Sequence, residues 1–292
     1  RVMDARLQRR IQRYGWDHAV DFYDQHWMSQ VLPATQGVLE RAAIEPGDRV
    51  LDVACGTGVL AIAAATAVGN DGSVIVIDLS GKMVDAARAA ASALGLDNCR
   101  FERGDGEAPP DPEGGFDVIL CGLGLMYMPD PEQALAVMAR RLAPGAHLAV
   151  SVWGQRSHCA WAEIFSIVDA RVESEVCPLF FRTGSGDTLH HALHAAGLSG
   201  VASERLSVLL RYGSAAEACD AAFLGGPVAL AYSRFDAPTR AAVRAEYLRS
   251  LESCRLGEGY AIPGEFLIGY GVKAAAAGSQ PVLKVRRKGA TP

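Results

Sequence analysis

One stretch, residues 50–83, restricts the possible folds of this 292-residue chain more than any other part. It begins with an apolar segment that ends in Asp52, and a turn containing Gly56 and Gly58 follows; a second apolar segment then ends in Asp78. Glycine lets the backbone approach a ligand closely, and free N–H groups at the start of the next helix face that ligand. Because an acid at the tip of the second strand can accept hydrogen bonds from ribose hydroxyls, the pattern predicts a nucleoside site.

Apolar, strand-like segments alternate with helical segments between residues 49 and 153. Strands joined by helices form parallel β-α units, so this rhythm predicts an α/β fold. Two later segments with strand-like patterns, 202–212 and 261–273, extend the sheet. We therefore predict a doubly wound, Rossmann-like, seven-stranded and mostly parallel sheet, whose first five strands lie at 49–53, 74–77, 98–103, 116–121 and 147–153.

Helical segments flank this predicted sheet. Apolar residues recur at helical spacing over 17–27 and 30–43, which predicts an N-terminal lid of two helices with Pro33 at the start of the second. The mostly helical stretch before the last strand is long for a strand connection, so it predicts a cap. The chain is thereby divided into a lid (1–44), a core (45–213 and 261–275), a cap (214–260) and a tail with a basic run (276–292).

Composition limits the kinds of partner. Half of the residues are hydrophobic, 21% are charged and the net charge is −5, which is typical of a soluble globular protein and gives no basic field for nucleic acid. No apolar run reaches membrane-spanning length, and the first residues lack a signal-peptide pattern. Seven cysteines without a C-x-x-C pair fit a reducing compartment. We expect a cytoplasmic protein that acts on a small molecule and has no nucleic-acid or membrane partner. These features are compatible with a homodimer.

The glycine turn alone fits more than one cofactor. Gly56, Gly58 and Ala61 match the G-x-G-x-x-G/A pattern of nicotinamide-binding sheets. However, a carboxylate at Asp52 would repel a pyrophosphate, whereas it would suit a ligand with a positive ammonium group. A further acid, Asp105, follows the third predicted strand, where an adenine amino group could be bonded. These two acids favour a cationic nucleoside over a dinucleotide.

Taken in order, the motifs resemble those of class I S-adenosylmethionine-dependent methyltransferases, most closely the ubiquinone/menaquinone C-methyltransferase-like group of small-molecule enzymes. They read V-L-D-V-A-C-G-T-G from residue 50, V-I-V-I-D from residue 74, F-E-R-G-D-G-E from residue 101 and F-D-V-I-L-C from residue 116. The resemblance covers about residues 45–154, roughly a third of the chain. It implies S-adenosylmethionine as cofactor and methyl transfer to carbon or oxygen of a small acceptor such as an aromatic or secondary metabolite.

The resemblance also assigns roles by matching position. It implies that the glycine loop holds the methionine part of the cofactor, that Asp78 holds the ribose and that Asp105 accepts from the adenine amino group. Ala54 stands where the family often has glycine, a small-residue exchange that should still fit. The full implied cofactor site comprises Tyr23, Trp27, Asp52, Ala54, Gly56, Gly58, Asp78, Leu79, Met83, Asp105, Gly106, Glu107 and Cys121.

Methyl transfer from a sulfonium is an in-line displacement, so the protein mainly has to align the acceptor. A general base helps only if the acceptor loses a proton of high pKa. The candidates are His158 after the fifth predicted strand, Tyr127 after the fourth, and His26 on the lid. Aromatic residues that could wall an apolar acceptor pocket are Tyr23, Trp27, Trp153, Trp161, Phe223 and Tyr232.

Other functions stay open at this point. The glycine pattern also fits an NAD(P)-dependent oxidoreductase, and a non-catalytic cofactor-binding subunit would carry the same motifs. No metal is expected. The group His190, His191 and His194 lacks the glutamate of an H-E-x-x-H motif, and the cysteines show no ligand spacing.

Overall fold

A computed structural model of the chain describes residues 4–173, 177 and 179–275. The tail predicted at 276–292, including its basic run, lies outside the described residues. The fold is built on one mixed sheet. Its strands are β1 (Arg49–Val53), β2 (Ser73–Asp78), β3 (Cys99–Arg103), β4 (Phe116–Gly122), β5 (Leu142–Trp153), β6 (Leu198–Tyr212), β7 (Arg255–Leu256) and β8 (Gly259–Lys273).

The strand order is β3-β2-β1-β4-β5-β8-β6, and the two-residue strand β7 pairs with β8. Strands β1 to β5 are mutually parallel, whereas β8 runs antiparallel to both β5 and β6. The prediction of a doubly wound, mostly parallel sheet is confirmed. The order reverses between β1 and β4, and ligands of such sheets bind beyond the carboxyl ends of the strands at that point.

Helices cover the sheet, which explains why the central strands read as continuous apolar runs. In β1 the last four residues are buried, and α2 and α3 pack on β1, β2 and β3. The helices are α1 (Ala5–Ala42), α2 (Val59–Val68), α3 (Gly81–Ala93), α4 (Pro131–Arg141), α5 (Glu163–Asp169), α6 (Thr188–Ala195), α7 (Ala215–Phe223), α8 (Ala229–Ser233) and α9 (Ala237–Ser250).

The predicted two-helix lid is wrong in one respect, because α1 is a single helix of 38 residues that passes through Pro33. An internal proline removes one backbone hydrogen bond and costs about 3 kcal/mol in an unsupported helix. Here the residues around it are held by tertiary packing, since Val31, Ala34 and Val38 are buried in the core. Packing therefore maintains the helix where local propensity predicts a break.

Helices α7, α8 and α9 occupy the segment between β6 and β8 that the sequence identifies as a cap. Both α7 and α8 pack against α1, while α9 packs against α5 and α7. Phe223 and Tyr232 stack on each other inside this layer, with ring centroids 5.0 Å apart. Within the described residues, no helix is long and apolar enough to cross a membrane.

Candidate functional site

A cleft of about 140 Å³ lies at the carboxyl ends of the parallel strands. One side is formed by α1, which contributes lining residues from Arg9 to Thr35. The opposite side is formed by the loops that follow β1, β2, β3 and β4. The cleft therefore lies at the topological switch point of the sheet, where an open α/β fold binds its ligand.

The loop after β1 has a conformation that demands small residues. Ala54, Gly56 and Gly58 all have positive φ angles, of 57°, 55° and 95°. A Cβ atom on Gly58 would lie 2.8 Å from the Cβ of Ala87, whereas a Cβ on Gly56 would meet open space. Gly58 is thus needed for helix packing, and Gly56 keeps the loop backbone open toward the cleft that it lines. The Ala54 methyl fits because the residue facing it, Gly124, has no side chain.

Asp78 ends β2 and lines the cleft. Its Oδ2 accepts from the backbone N–H of Gly56 at 3.0 Å, and its Oδ1 accepts from the N–H of Ser80 at 2.9 Å. Burial raises the pKa of this carboxyl to about 6, although the two backbone hydrogen bonds act in the opposite direction. Each oxygen keeps a second lone pair, so the ionised group can still accept from ribose hydroxyls.

Asp52 is fully buried and does not line the cleft. Neither carboxylate oxygen has a hydrogen-bond partner of good geometry among the described residues. Burial, reinforced by the neighbouring charge of Asp78, raises the pKa of Asp52 to about 8, while the backbone N–H of Ala61 acts weakly against this. The predicted contact between Asp52 and a ligand ammonium group therefore receives no support from its position.

The residues to which the resemblance assigns the adenine lie in the loop after β3. Asp105, Gly106 and Glu107 line the cleft there, opposite Leu79 and Met83. Other groups already engage both acids: Arg9 Nε lies 2.9 Å from Asp105 Oδ2 and 2.9 Å from Glu107 Oε2, and Asp105 Oδ1 accepts from the N–H of Glu107. An adenine amino group at Asp105 would therefore share that carboxylate with the Arg9 guanidinium.

Three residues on one side of α1 hold the helix across the cleft, and sequence reasoning missed them. Arg9 contacts the loop after β3, Asp17 accepts from the hydroxyl of Ser80 at 2.5 Å, and Asp24 accepts from the hydroxyl of Thr57 at 2.6 Å. Residues 9, 17 and 24 are spaced by eight and seven positions, which puts them on one helix face. That spacing was visible in the sequence, but nothing local showed which loops this face would meet.

Two predicted residues, Tyr23 and Tyr127, line the cleft together with Trp16. The Trp16 ring packs edge-on against both tyrosines, with centroids 5.8 and 5.2 Å apart. Burial raises the pKa of both phenols far above neutral pH; nearby Asp24 adds to the effect at Tyr23 and nearby Cys177 at Tyr127. At physiological pH the two hydroxyls are therefore protonated and can donate hydrogen bonds.

A second, much smaller cavity of about 30 Å³ adjoins the cleft, and we call it the tryptophan chamber. All four tryptophans of the chain line it, and Trp27, Trp153 and Trp161 pack edge-on against one another at 4.7–5.9 Å. The other predicted wall residues, Phe223 and Tyr232, do not line it. The lining comprises Trp16, Tyr23, Trp27, Val31, Leu123, Tyr127, Trp153, Trp161, Gly225, Gly226 and Pro227.

The remaining predicted residues lie elsewhere. His26 is buried on α1 and lines neither cavity, and Cys121 is buried behind the cleft, where its strand neighbour Gly122 forms the wall. His158 lies at a separate shallow groove, where its Nδ1 is 2.7 Å from Oε2 of Glu265. Glu265 also bonds Arg205 and the N–H of Gln155, so this histidine belongs to a structural polar cluster. Neither histidine is placed to act as a base in the cleft.

Comparisons with known proteins agree with this geometry. Residues 50–145 match the family described as methyltransferase domain. The ubiquinone/menaquinone biosynthesis C-methyltransferase of Teredinibacter turnerae is 38% identical over 113 residues, which are 38% of this chain and 45% of that protein. The nocamycin O-methyltransferase of Saccharothrix syringae is 32% identical over 136 residues, which are 47% of this chain and 49% of that protein. This chain thus spans about half the length of these curated relatives.

Among solved structures, the YcgJ protein of Bacillus subtilis superposes with a TM-score of 0.59 at 18% identity. The match covers 84% of this chain and all of that one, so the shared fold extends well beyond residues 50–145. Residues 50–145 thus match the methyltransferase domain family, and their sequence is similar to that of ubiquinone/menaquinone C-methyltransferases.

Proposed function

We propose that the chain is an S-adenosylmethionine-dependent methyltransferase that acts on a small-molecule acceptor. The observation that carries this proposal is the convergence of three features on one cleft. These are the open backbone at Gly56, the carboxylate of Asp78 and the acidic loop at 105–107. They lie in the order methionine, ribose, adenine that the resemblance implies. The two tyrosines and the tryptophan chamber lie beside the segment after β4.

The cleft residues suit the cofactor in chemical terms. Asp78 would accept from the ribose hydroxyls, and the loop at 54–58 would leave room for the amino-acid part because it carries no bulky side chain on the open side. Leu79 and Met83 would pack on the adenine. When bound, the cofactor supplies a methyl group that is already activated for displacement.

On the acceptor side, the chain's contribution is positioning. Tyr23 and Tyr127 stay protonated, so they would orient an acceptor by donating hydrogen bonds to its oxygen atoms. The α1 helix and the aromatic residues would shield the reacting atoms from water. The named relatives include both a C- and an O-methyltransferase, so the proposal covers transfer to carbon or oxygen, and NMR of product formed with a ¹³C-labelled methyl donor distinguishes the two.

Asp78→Asn tests the proposal with minimal change of shape. The amide keeps one acceptor but loses the charge and one acceptor oxygen, so we expect S-adenosylhomocysteine to bind about tenfold more weakly, equivalent to about 1.4 kcal/mol. Equilibrium dialysis measures the affinity, and Asp71→Ala, on an exposed turn, is the matched control. Tighter binding of NADH than of S-adenosylhomocysteine by the unaltered chain would contradict the proposal and favour the oxidoreductase. Cofactor binding without methyl transfer to any metabolite pool would indicate a non-catalytic subunit.

A further inference from the structure

We propose that the outer edge of β6, over residues 203–209, is a homodimerisation surface to which a second copy of this chain adds an antiparallel strand. β6 is the last strand in the sheet order, and within the described ranges no strand pairs with its outer side. We call residues 203–209 the free edge. None of them lines the cleft, so dimerisation through this edge does not depend on the proposed function.

The register of β6 shows which of its backbone groups face outward. Arg211 donates its N–H to Oε1 of Gln30 at 3.0 Å, and its carbonyl accepts from Nε2 of Gln30 at 2.6 Å, so its main chain points away from β8. Because the pairing with β8 is regular from Ala202 to Tyr212, every second residue before Arg211 faces the same way. The outward-facing residues of the free edge are therefore Ser203, Arg205, Ser207 and Leu209.

A hydrogen bond on the other side of β8 gives the same direction. The N–H of Gly154 donates to the carbonyl of Glu265 at 2.6 Å, so the backbone of Glu265 faces β5 and not β6. Ser207 is the residue of β6 that pairs with Glu265, and its own N–H and C=O therefore face outward. Among the described residues, none bonds the outward N–H and C=O groups of the free edge.

The two edges of the sheet are protected to different degrees. At the opposite edge, β3 has only five residues, three of which are charged, and the carbonyl of Phe101 accepts from Arg88 at 3.3 Å. Short, charged edges of this kind resist the addition of a further strand. β6 has 15 residues, its free edge contains neither proline nor lysine, and Leu209 is 50% exposed. The free edge therefore lacks the features that normally prevent strand pairing.

The limits of the free edge identify a second copy of the chain as its occupant. A register shift before Ala202 ends the regular strand on one side, and the contact between Gln30 and Arg211 blocks the edge on the other. Leu206 lies at the centre of the seven residues between these limits. An antiparallel pair about a twofold axis at Leu206 would use the same residues of both copies and satisfy the outward groups of each.

The side chains suit this register. Leu209 would lie opposite Ser203 of the second copy, and Arg205 opposite Ser207, so a large side chain meets a small one in each pair. The charge of Arg205 is already balanced by Glu265 at 2.8 Å. No two side chains of like charge would lie directly opposite each other, because the register places the remaining acid of the free edge opposite a valine.

The size of the free edge sets the expected strength of the dimer. Seven residues from each copy would form it, compared with about 20–30 from each partner in an interface of standard size. We therefore expect a weak dimer with a Kd of about 10–100 µM. Analytical ultracentrifugation of the full chain between about 1 and 300 µM should show a monomer that becomes a dimer as the concentration rises.

Two proline variants test the direction of the backbone. Ser207→Pro removes an outward N–H, and an edge strand tolerates proline in that orientation, so we expect the Kd to rise at least about tenfold while the urea midpoint stays the same. Val208→Pro is the matched control for orientation, because the N–H of Val208 faces β8. Its loss should lower the urea midpoint, since proline removes a hydrogen bond of the ladder.

A cross-link tests the register without relying on the proline variants. In the proposed dimer the two Leu206 residues face each other with Cα atoms about 4.5 Å apart, which a disulfide can bridge. Leu206→Cys should therefore give a covalent dimer on mild oxidation. Val208→Cys is the matched control, because this half-buried position on the same face would lie opposite Glu204 of the second copy. The unaltered chain, with its own seven cysteines, gives the background.

The possible results separate this proposal from the proposed function. A monomer at every concentration, or a dimer that Ser207→Pro leaves unchanged, would overturn the dimerisation surface. Equal cross-linking of Leu206→Cys and Val208→Cys would overturn it as well, because only Leu206 meets its own copy in this register. Failure of the unaltered chain to bind S-adenosylhomocysteine would contradict the proposed function but would leave the ultracentrifugation and cross-linking results intact.

Discussion

The cleft and the tryptophan chamber share five lining residues, but they are built in different ways. The cleft depends on backbone: positive φ angles at 54–58, and main-chain N–H groups that hold Asp78. The chamber depends on side chains, with walls drawn from positions as far apart as Trp16 and Pro227. A site made of backbone tolerates few substitutions, whereas a site made of side chains can change its occupant while the fold stays the same.

We expect the largest loss of stability from Gly58→Ala, in the backbone-built loop of the cleft. The added Cβ would lie 2.8 Å from Ala87 and the residue would have to keep φ near 95°, so the strain and the clash together should lower the free energy of unfolding by about 3–5 kcal/mol. Gly56→Ala, which places its Cβ in open space at φ 55°, should cost only about 1–2 kcal/mol. Chemical denaturation measures both, and equal losses would contradict the packing role assigned to Gly58.

A second effect concerns the buried carboxylate behind the cleft. The pKa of Asp52 is about 8 in the folded protein, raised chiefly by burial and also by Asp78, and it lies above its unfolded value. The folded state therefore binds the proton more tightly, so this group's contribution to stability is complete below about pH 4 and is lost as the pH rises toward 8. Asp52→Asn removes this loss. As the pH rises from 5 to 9, the free energy of unfolding of the variant relative to that of the unaltered chain should increase by about 4 kcal/mol, because each pH unit between 5 and the pKa contributes about 1.4 kcal/mol.

Urea denaturation at the two pH values measures this difference. The control is Asp85→Asn, which removes an exposed carboxylate on α3. Its stability should change with pH in parallel with that of the unaltered chain. Parallel profiles for Asp52→Asn as well would mean that Asp52 is ionised in the folded protein. In either case we expect the tryptophan emission of the folded state to stay unchanged, because Asp52 is not part of the chamber.

The smallest effect is expected at the ion pairs between α1 and the acidic loop. Arg9 is a third exposed, and its pairs with Asp105 and Glu107 should contribute about 0.5–1 kcal/mol, less at high salt. Arg9→Ala should therefore lower stability slightly and change S-adenosylhomocysteine affinity by no more than about fivefold. Arg88→Ala, which breaks an exposed pair with Asp85, is the control. A loss of binding as large as that in Asp78→Asn would mean that Arg9 is part of the cofactor site itself.

Much of the fold could be predicted from the sequence because it is encoded locally. Each parallel strand is a short apolar run, and the glycine loop with the acids at 78 and 105 forms continuous motifs, all at the cleft. The last strand, β8, and the helical segment before it were also visible as local patterns, whereas the antiparallel direction of β8 was not predicted. Local patterns failed at Pro33, where tertiary packing maintains a helix across a residue that usually ends one.

The candidate site was harder to predict where the role of a residue depends on its burial or on contacts between distant parts of the chain. Asp52 carries the acidic motif position, yet its side chain is fully buried, and His158 follows a strand end but is engaged by Glu265. Conversely, Trp16 lines the cleft and Asp24 accepts from Thr57 of the loop after β1, because α1 lies along the cleft. No pattern within α1 indicates which loop each of its faces will meet.

The single helix α1 lines both cavities along one continuous length, from Arg9 to Thr35. Ligands in the two cavities would therefore share one wall, so a displacement of the helix that admitted one ligand would also open the compartment of the other. Under the proposed function, exchange of spent cofactor and departure of methylated product would then be coupled through the three polar contacts that hold this helix.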